Sequence, residues 1–179
     1  MDKNSINIKI LKVKMTDIDL LKSIAQQTFI ETFSEVNTAA DMAKYIAEKF
    51  SNETLLAELS NQGSEFYFAQ LDKRIIGYLK INSEQAQTEL QDEHALEIER
   101  IYVLQEFHGK KVAQLLYEKA LDIARLKNVR FIWLGVWEEN HRAISFYQKN
   151  GFVAFDKHIF RLGEDEQTDI MMKKSVINN

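Results

Sequence analysis

The chain has 179 residues, 45% apolar and 28% charged, with a formal net charge of −4; this is the usage of one globular domain able to bury roughly 70% of its unfolded surface. It has no Cys, which excludes a disulfide scaffold, a thiolate nucleophile and a Cys-ligated metal. The acidic balance argues against a nucleic-acid partner, whose footprint is a basic face. No apolar run approaches the ~18 residues of a membrane span, and Met1–Ser5 lacks the pattern of a signal peptide, so a cytoplasmic protein with no membrane partner is expected.

Ile6–Val13 alternates apolar and polar residues, the period of a strand. Thr16–Asp19 reads as a capping box before a helix that carries Leu20, Leu21, Ile24, Ala25 and Phe29. Thr38–Asp41 opens a second helix with Met42, Tyr45 and Ile46, and a third runs from about Asn52 to Leu59. Phe66–Leu71 and Ile75–Ile81 read as strands about the turn Asp72-Lys73-Arg74, and Ser83–Glu93 as a polar connection. Leu96–Val103 is a predicted strand, Val112–Leu126 a helix with an apolar stripe, and Phe131–Trp137 a buried central strand. A helix over His141–Lys149 ends at Asn150-Gly151, and strands Phe152–Phe160 and Thr168–Lys174 close the chain. This order predicts an α/β (α+β) fold. A single domain over 1–179 has a mixed, mostly antiparallel central sheet, with hairpins about a βαβ unit and flanking helices.

Two segments carry chemistry. Leu96–Val103 leads through His108-Gly109-Lys110-Lys111 into a helix N-terminus, where orphan amides and the helix dipole favour an anion. Two Lys add point-charge attraction for phosphate oxygens; the spacing is neither that of a P-loop nor of a dinucleotide fingerprint. A solvated loop with two surface Lys fits the spacing equally well. In the second segment Asn140 stands where a helix N-cap belongs, and Tyr147 follows two turns later on the same face. A core aromatic is the commoner role of such a Tyr.

Taken together, these motifs resemble the GNAT superfamily of acetyl-CoA-dependent N-acetyltransferases. The Gly-containing loop matches its pyrophosphate loop, and Asn140-x-x-Ala143-x-x-x-Tyr147-x-x-x-Gly151-Phe152 matches its following acetyl-CoA element. Within that superfamily Thr28–Phe33, Leu96–Val103, Ile132–Trp137 and Glu166–Asp169 are similar to the PaiA-type spermine/spermidine acetyltransferases. One departure is in the loop: His108 stands for the usual Gln or Arg, and Lys111 for the central Gly. A Lys tolerates ordinary helical dihedrals, so the loop still forms if that position has a negative φ.

The resemblance implies an acetyl-CoA-dependent N-acetyltransferase that moves the acetyl group to a polyamine by direct attack in a ternary complex. Ile101, Tyr102 and Val103 would hold the pantetheine arm through their backbone. His108, Gly109, Lys110, Lys111, Val112, Ala113 and Gln114 would surround the pyrophosphate. Asn140, Ala143, Phe146 and Tyr147 would form the remaining cofactor contacts, with Tyr147 giving its proton to the leaving thiolate. Dimerisation is common in that family, so a homodimer is an expectation here.

An alkylamine is mostly charged at neutral pH and needs a base. Glu97 and Glu99 share a strand face, and Glu99 is the expected base, a solvated strand edge being the alternative. Glu31, Glu35 and Glu97 are expected to bind the acceptor. Six acids and no Lys or Arg lie between Glu84 and Glu99, and Glu164-Asp165-Glu166 adds a second patch, a field that would concentrate a polycation. His94, His141 and His158 have no metal spacing and read as structural or surface, so no metal is expected. Trp133 and Trp137 read as core. A peptide-amine acetyltransferase and a non-catalytic acyl-CoA-binding regulatory module remain the other readings.

Overall fold

The computed structural model describes residues 7–162 and 165–176. Seven strands, β1 (Ile8–Lys12), β2 (Ser64–Leu71), β3 (Arg74–Ser83), β4 (Ala95–Val103), β5 (Phe131–Trp137), β6 (Val153–Leu162) and β7 (Asp165–Ser175), form one sheet in the order β1-β2-β3-β4-β5-β7-β6. All neighbours are antiparallel except β4 and β5, the pair joined through a helix, which is what a parallel crossover requires. Five helices flank the sheet: α1 (Ile18–Phe33), α2 (Ala39–Lys49), α3 (Asn52–Ser60), α4 (Val112–Leu126) and α5 (His141–Lys149). The predicted α4, β5 and α5 match end to end, and the terminal hairpin is longer than predicted. Ile6, placed in the first strand by its alternation, lies outside the described residues.

Local chemistry sets the helix starts. Thr38 caps α2 by accepting from the Asp41 amide at 3.1 Å, and Ser51 caps α3 through Thr54 at 3.1 Å. The expected Thr16 cap is replaced. Met15–Asp17 forms a 3-10 turn, with the Asp17 carboxylate accepting from the Lys14 amide at 2.9 Å, and α1 begins only at Ile18. Phe66 and Tyr67 point to opposite faces of β2. Lys80 lies over the Phe66 ring and pairs with Glu58 of α3, whereas Lys119 of α4 lies over Tyr67. The sheet is therefore covered by α3 on one face and α4 on the other.

Two irregularities in β4 open the sheet. Arg100 opposes Lys80 and Ile98 opposes Ile81, so Glu99 is the extra residue of a β-bulge. The β4–β5 ladder runs only through Ala95–Phe131, Leu96–Ile132 and Glu97–Trp133. Beyond it Ile98–Val103 stay with β3 and Leu134–Trp137 with β7, which leaves backbone groups of β4 facing a gap.

Candidate active site

Two cavities share β4 as a wall. Ile101 and Val103 line one; Arg100 and Tyr102 line the other, as strand alternation dictates.

The first is a cleft of ≈ 720 Å³ between β4, the loop before α4, and α5. Gly109 has φ +75° and Lys111 φ +63°, so Lys111 does not take a negative φ. The loop needs a left-handed residue at the α4 N-cap, and a Lys side chain accepts that at a cost of about 1 kcal/mol. This turn leaves the first-turn amides of α4 without intrahelical partners. Lys111, Arg142 and Lys149 line the cleft as cations. His108 Nε2 lies 2.8 Å from the Val103 carbonyl oxygen, and its other ring nitrogen contacts Arg142. Burial and then the Arg142 charge hold the His108 ring below its usual pKa, against the Val103 bond, so at neutral pH Nε2–H donates to that carbonyl. His108 thus ties the end of β4 to the start of α5.

Phosphates, a pantetheine chain and a thioester fit these residues. The cleft offers outward amides at a helix N-terminus, three cations, and an unpaired edge of β4 at Ile101–Val103. Gly109, Val112, Ala113, Ala143, Phe146 and Tyr147 line it with them. Gln114 lines it too and is held by a reciprocal amide pair with Asn150, both bonds 3.2 Å. Two expected residues do not line the cleft: the Lys110 ammonium lies over the Phe107 ring at 4.9 Å, and Asn140 caps α5 by accepting from the Ala143 amide at 3.1 Å. The Tyr102 ring faces the other cavity, while its backbone belongs to the open edge of β4. Arg142, Ser145 and Lys149 belong to the cleft without having been expected. Arg142 and Lys149, seven residues apart, share a face of α5 that is recognised as the cleft side only once the fold is known.

Tyr147 is buried at the cleft wall, its ring edge-on to Phe146 and Phe152 at 5.3 and 5.5 Å. Burial, with the neighbouring Tyr102, raises its phenol above the usual value. It therefore stays protonated throughout the neutral range.

The second cavity, ≈ 280 Å³, is walled by Phe29, Phe33, Tyr45 and Phe50 on one side and by Trp133 and Trp137 on the other. Phe29 and Tyr45 stack at 4.5 Å, and Phe33 meets Trp137 at 6.0 Å. Trp133 is buried, as expected, and donates from Nε1 to Gln87 Oε1 at 2.7 Å. Gln87 also donates to the Glu84 and Asp92 carbonyls, so the polar connection 84–94 is folded onto the sheet and brings Thr88 and Glu89 to the cavity.

The carboxylates here divide by their partners. Glu99 takes 2.6 Å contacts from Asn82 Nδ2 and Lys80 Nζ and lies 3.1 Å from Arg100. Glu58 closes the ring with Lys80 at 3.1 Å and with Arg100 at 2.9 and 2.8 Å. Burial pushes the Glu99 carboxyl up, but Arg100 and Lys80 outweigh it and hold it below the usual range. A carboxylate so stabilised is a poor proton acceptor, and the expectation that Glu99 is the base is revised. Glu97 is buried and accepts from the Thr88 amide at 2.8 Å, the Thr88 hydroxyl and Asn82 Nδ2. Burial outweighs those bonds and raises its pKa.

Other acceptor-side expectations are corrected. Glu31 accepts from the Gln105 amide at 2.7 Å, so it caps the turn after β4, and Glu35 is exposed after α1; neither lines either of these two cavities. Glu164 lies outside the described residues, as does the Asp165 side chain. Asp169 and His158, which pattern alone passes over, do line the cavity. No helix among the described residues is long and apolar enough to cross a membrane.

The Acetyltransferase (GNAT) family model matches residues 23–152. An uncharacterized N-acetyltransferase of Lactobacillus delbrueckii subsp. lactis is 38% identical over 170 residues, 95% of this chain and 98% of that protein. A spermidine N(1)-acetyltransferase of Thermoplasma acidophilum is 30% identical over 156 residues, 84% and 91% of the two chains. The crystal structure of the PaiA N-acetyltransferase from the same organism, in complex with coenzyme A, is similar with a TM-score of 0.78 and 27% identity. That match covers 94% of this chain and 99% of the other.

Proposed function

The chain belongs to the GNAT family of acetyltransferases and takes its acetyl group from acetyl-CoA; from that premise we propose that its acceptor is a primary amine of a polyamine, spermine or spermidine, acetylated by direct attack in a ternary complex. The observation that carries this reading is the pairing of a basic cleft with an aromatic, carboxylate-bearing cavity across one splayed strand. Glu99 is neutralised by Lys80 and Arg100, which leaves Glu89, Glu97 and Asp169 to attract a cation. Seven aromatic rings, including Tyr102, supply apolar contact for a methylene chain and faces for an ammonium. The spermidine acetyltransferase of T. acidophilum supports the same class of acceptor.

The acetyl group arrives as a thioester. The α4 N-terminus with Lys111 and Arg142 binds phosphates, and β4 at Ile101–Val103 pairs with the pantetheine amides. Glu97 takes a proton from the acceptor ammonium, directly or through water, because burial makes it more basic than Glu99. The amine nitrogen then bonds the acetyl carbon and the carbon–sulfur bond breaks, while Tyr147 gives its proton to sulfur; the nitrogen sheds its second proton to water as the amide forms, and Tyr147 regains a proton from solvent. With no Cys in the chain, there is no thiolate to carry the acetyl group between two half-reactions.

The test is thiol release from acetyl-CoA with spermine, spermidine, putrescine, lysine and an N-terminal peptide as acceptors. Turnover highest with spermine or spermidine supports the assignment; turnover only with the peptide overturns it.

A further inference from the structure

The far wall of the acceptor cavity holds a histidine between two acids. His158 of β6 is the register partner of Asp169 of β7. Its Nε2 lies 3.5 Å from Asp169 Oδ2, and its Nδ1 lies 3.1 Å from Glu89 Oε1 of the 84–94 connection. Nδ1 is enclosed yet has no aligned hydrogen-bond partner among the described residues. The space beside it depends on Gly135 of β5, where a Cβ would lie 3.2 Å from His158 Cε1 and 3.4 Å from Asp169 Oδ2. Tyr102 lines the same cavity.

We propose that Glu89 and Asp169 anchor a second cationic group of the acceptor, and that His158 competes with that group for them, so that the enzyme binds polycationic acceptors more tightly when His158 is neutral. This rests on the polyamine reading and adds to it the residues that would select a polycation over a monoamine. A protonated His158 satisfies both carboxylates from inside; a neutral one leaves them to an ammonium from the substrate. The other ionisable groups on the cavity wall are Glu97, Glu99, Arg100, Tyr45 and Tyr102. Glu99 and Arg100 are committed to Lys80 and Glu58, Glu97 is bound by Thr88 and Asn82, and burial keeps both phenols protonated. His158 is thus the basic side chain on the cavity wall that contacts both acids. Its neighbour on β6, Lys157, pairs instead with Glu138 at 3.6 Å.

The experiment is calorimetric titration of the CoA-saturated protein with spermidine and with butylamine, at about pH 6 and about pH 7.5. Primary amines, with pKa near 10.4, stay charged at both. Wild-type affinity for spermidine is expected to rise roughly three- to tenfold between the two, as one competing charge is removed, with butylamine unchanged. His158→Gln is expected to bind spermidine at the lower pH as the wild type does at the higher. Asp169→Asn is expected to bring spermidine down toward butylamine at both. Glu89→Gln, on an exposed loop, carries the same expectation and guards against misfolding of the β7 variant. Spermidine preference unchanged in Asp169→Asn and Glu89→Gln, or a pH dependence unchanged in His158→Gln, overturns the anchor while leaving the polyamine reading in place. A wild type that binds neither amine, or prefers butylamine, overturns that reading and the anchor with it.

Discussion

Lys80 Nζ lies 2.6 Å from Glu99 Oε2, with the lysine side chain only 6% exposed. A buried cation of β3 is thus neutralised at the bulge of β4, and Glu58 and Arg100 complete the ring. Removing one acid leaves two buried cations with a single partner, so Glu99→Gln is expected to destabilise the fold by about 3 kcal/mol. Because the Glu99 carboxyl is held below its ordinary 4.5, the stability it contributes is complete above about that pH and is lost as pH falls through the depressed value. Denaturant unfolding as a function of pH checks both statements: the variant is expected to show a flatter acid limb than the wild type.

Glu97 makes the opposite prediction in kinetics. Its raised pKa means that it must lose a proton before it can accept one, so activity climbs as pH rises through that value. Glu97→Gln is expected to lower kcat on the order of 10²–10⁴-fold and to erase that limb. Glu99→Gln, assayed where it is folded, is expected to retain it. The pH profiles of the two variants side by side distinguish base from anchor.

Tyr147→Phe keeps the ring contacts with Phe146 and Phe152 and loses the phenolic proton. A fall in kcat on the order of 10²–10⁴-fold is expected, with coenzyme A affinity nearly unchanged. Single-turnover rates beside a direct binding titration provide the comparison.

Lys111, at φ +63°, carries both strain and charge. Lys111→Gly is expected to stabilise the protein by about 0.5–1 kcal/mol through relief of the left-handed conformation. It is also expected to weaken coenzyme A binding by up to about tenfold through the lost cation. Lys111→Ala removes the same charge without relieving the strain. Thermal unfolding of the two variants therefore separates the contributions.

Gly135→Ala places a methyl 3.2 Å from His158 and 3.4 Å from Asp169. The acceptor KM is expected to rise severalfold while coenzyme A affinity holds, because the cleft on the other side of β4 does not include this residue.

The features of this fold that are legible in the amino-acid sequence are local. Helical and strand periods placed α4, β5 and α5 to the residue, since each has an unbroken apolar pattern and a clear stop. The Gly109–Gln114 loop and the Tyr147 helix were legible because anion binding at a helix N-terminus needs contiguous residues in a set order. Contiguity failed on the acceptor side. Glu97 and Glu99 sit two apart on one strand and read as equivalent, yet a bulge at Glu99 turns one toward Lys80 and Arg100 and leaves the other to burial. His158, isolated along the chain, meets Glu89 and Asp169 only where β6, β7 and the 84–94 connection converge. The sign of Lys111 φ is set by how the loop must turn to enter α4. Periodicity and capping act within a few residues and leave their mark in the sequence, whereas a buried charge takes its partner and its pKa from whatever the sheet brings beside it. Those partners are brought together only by the folded sheet.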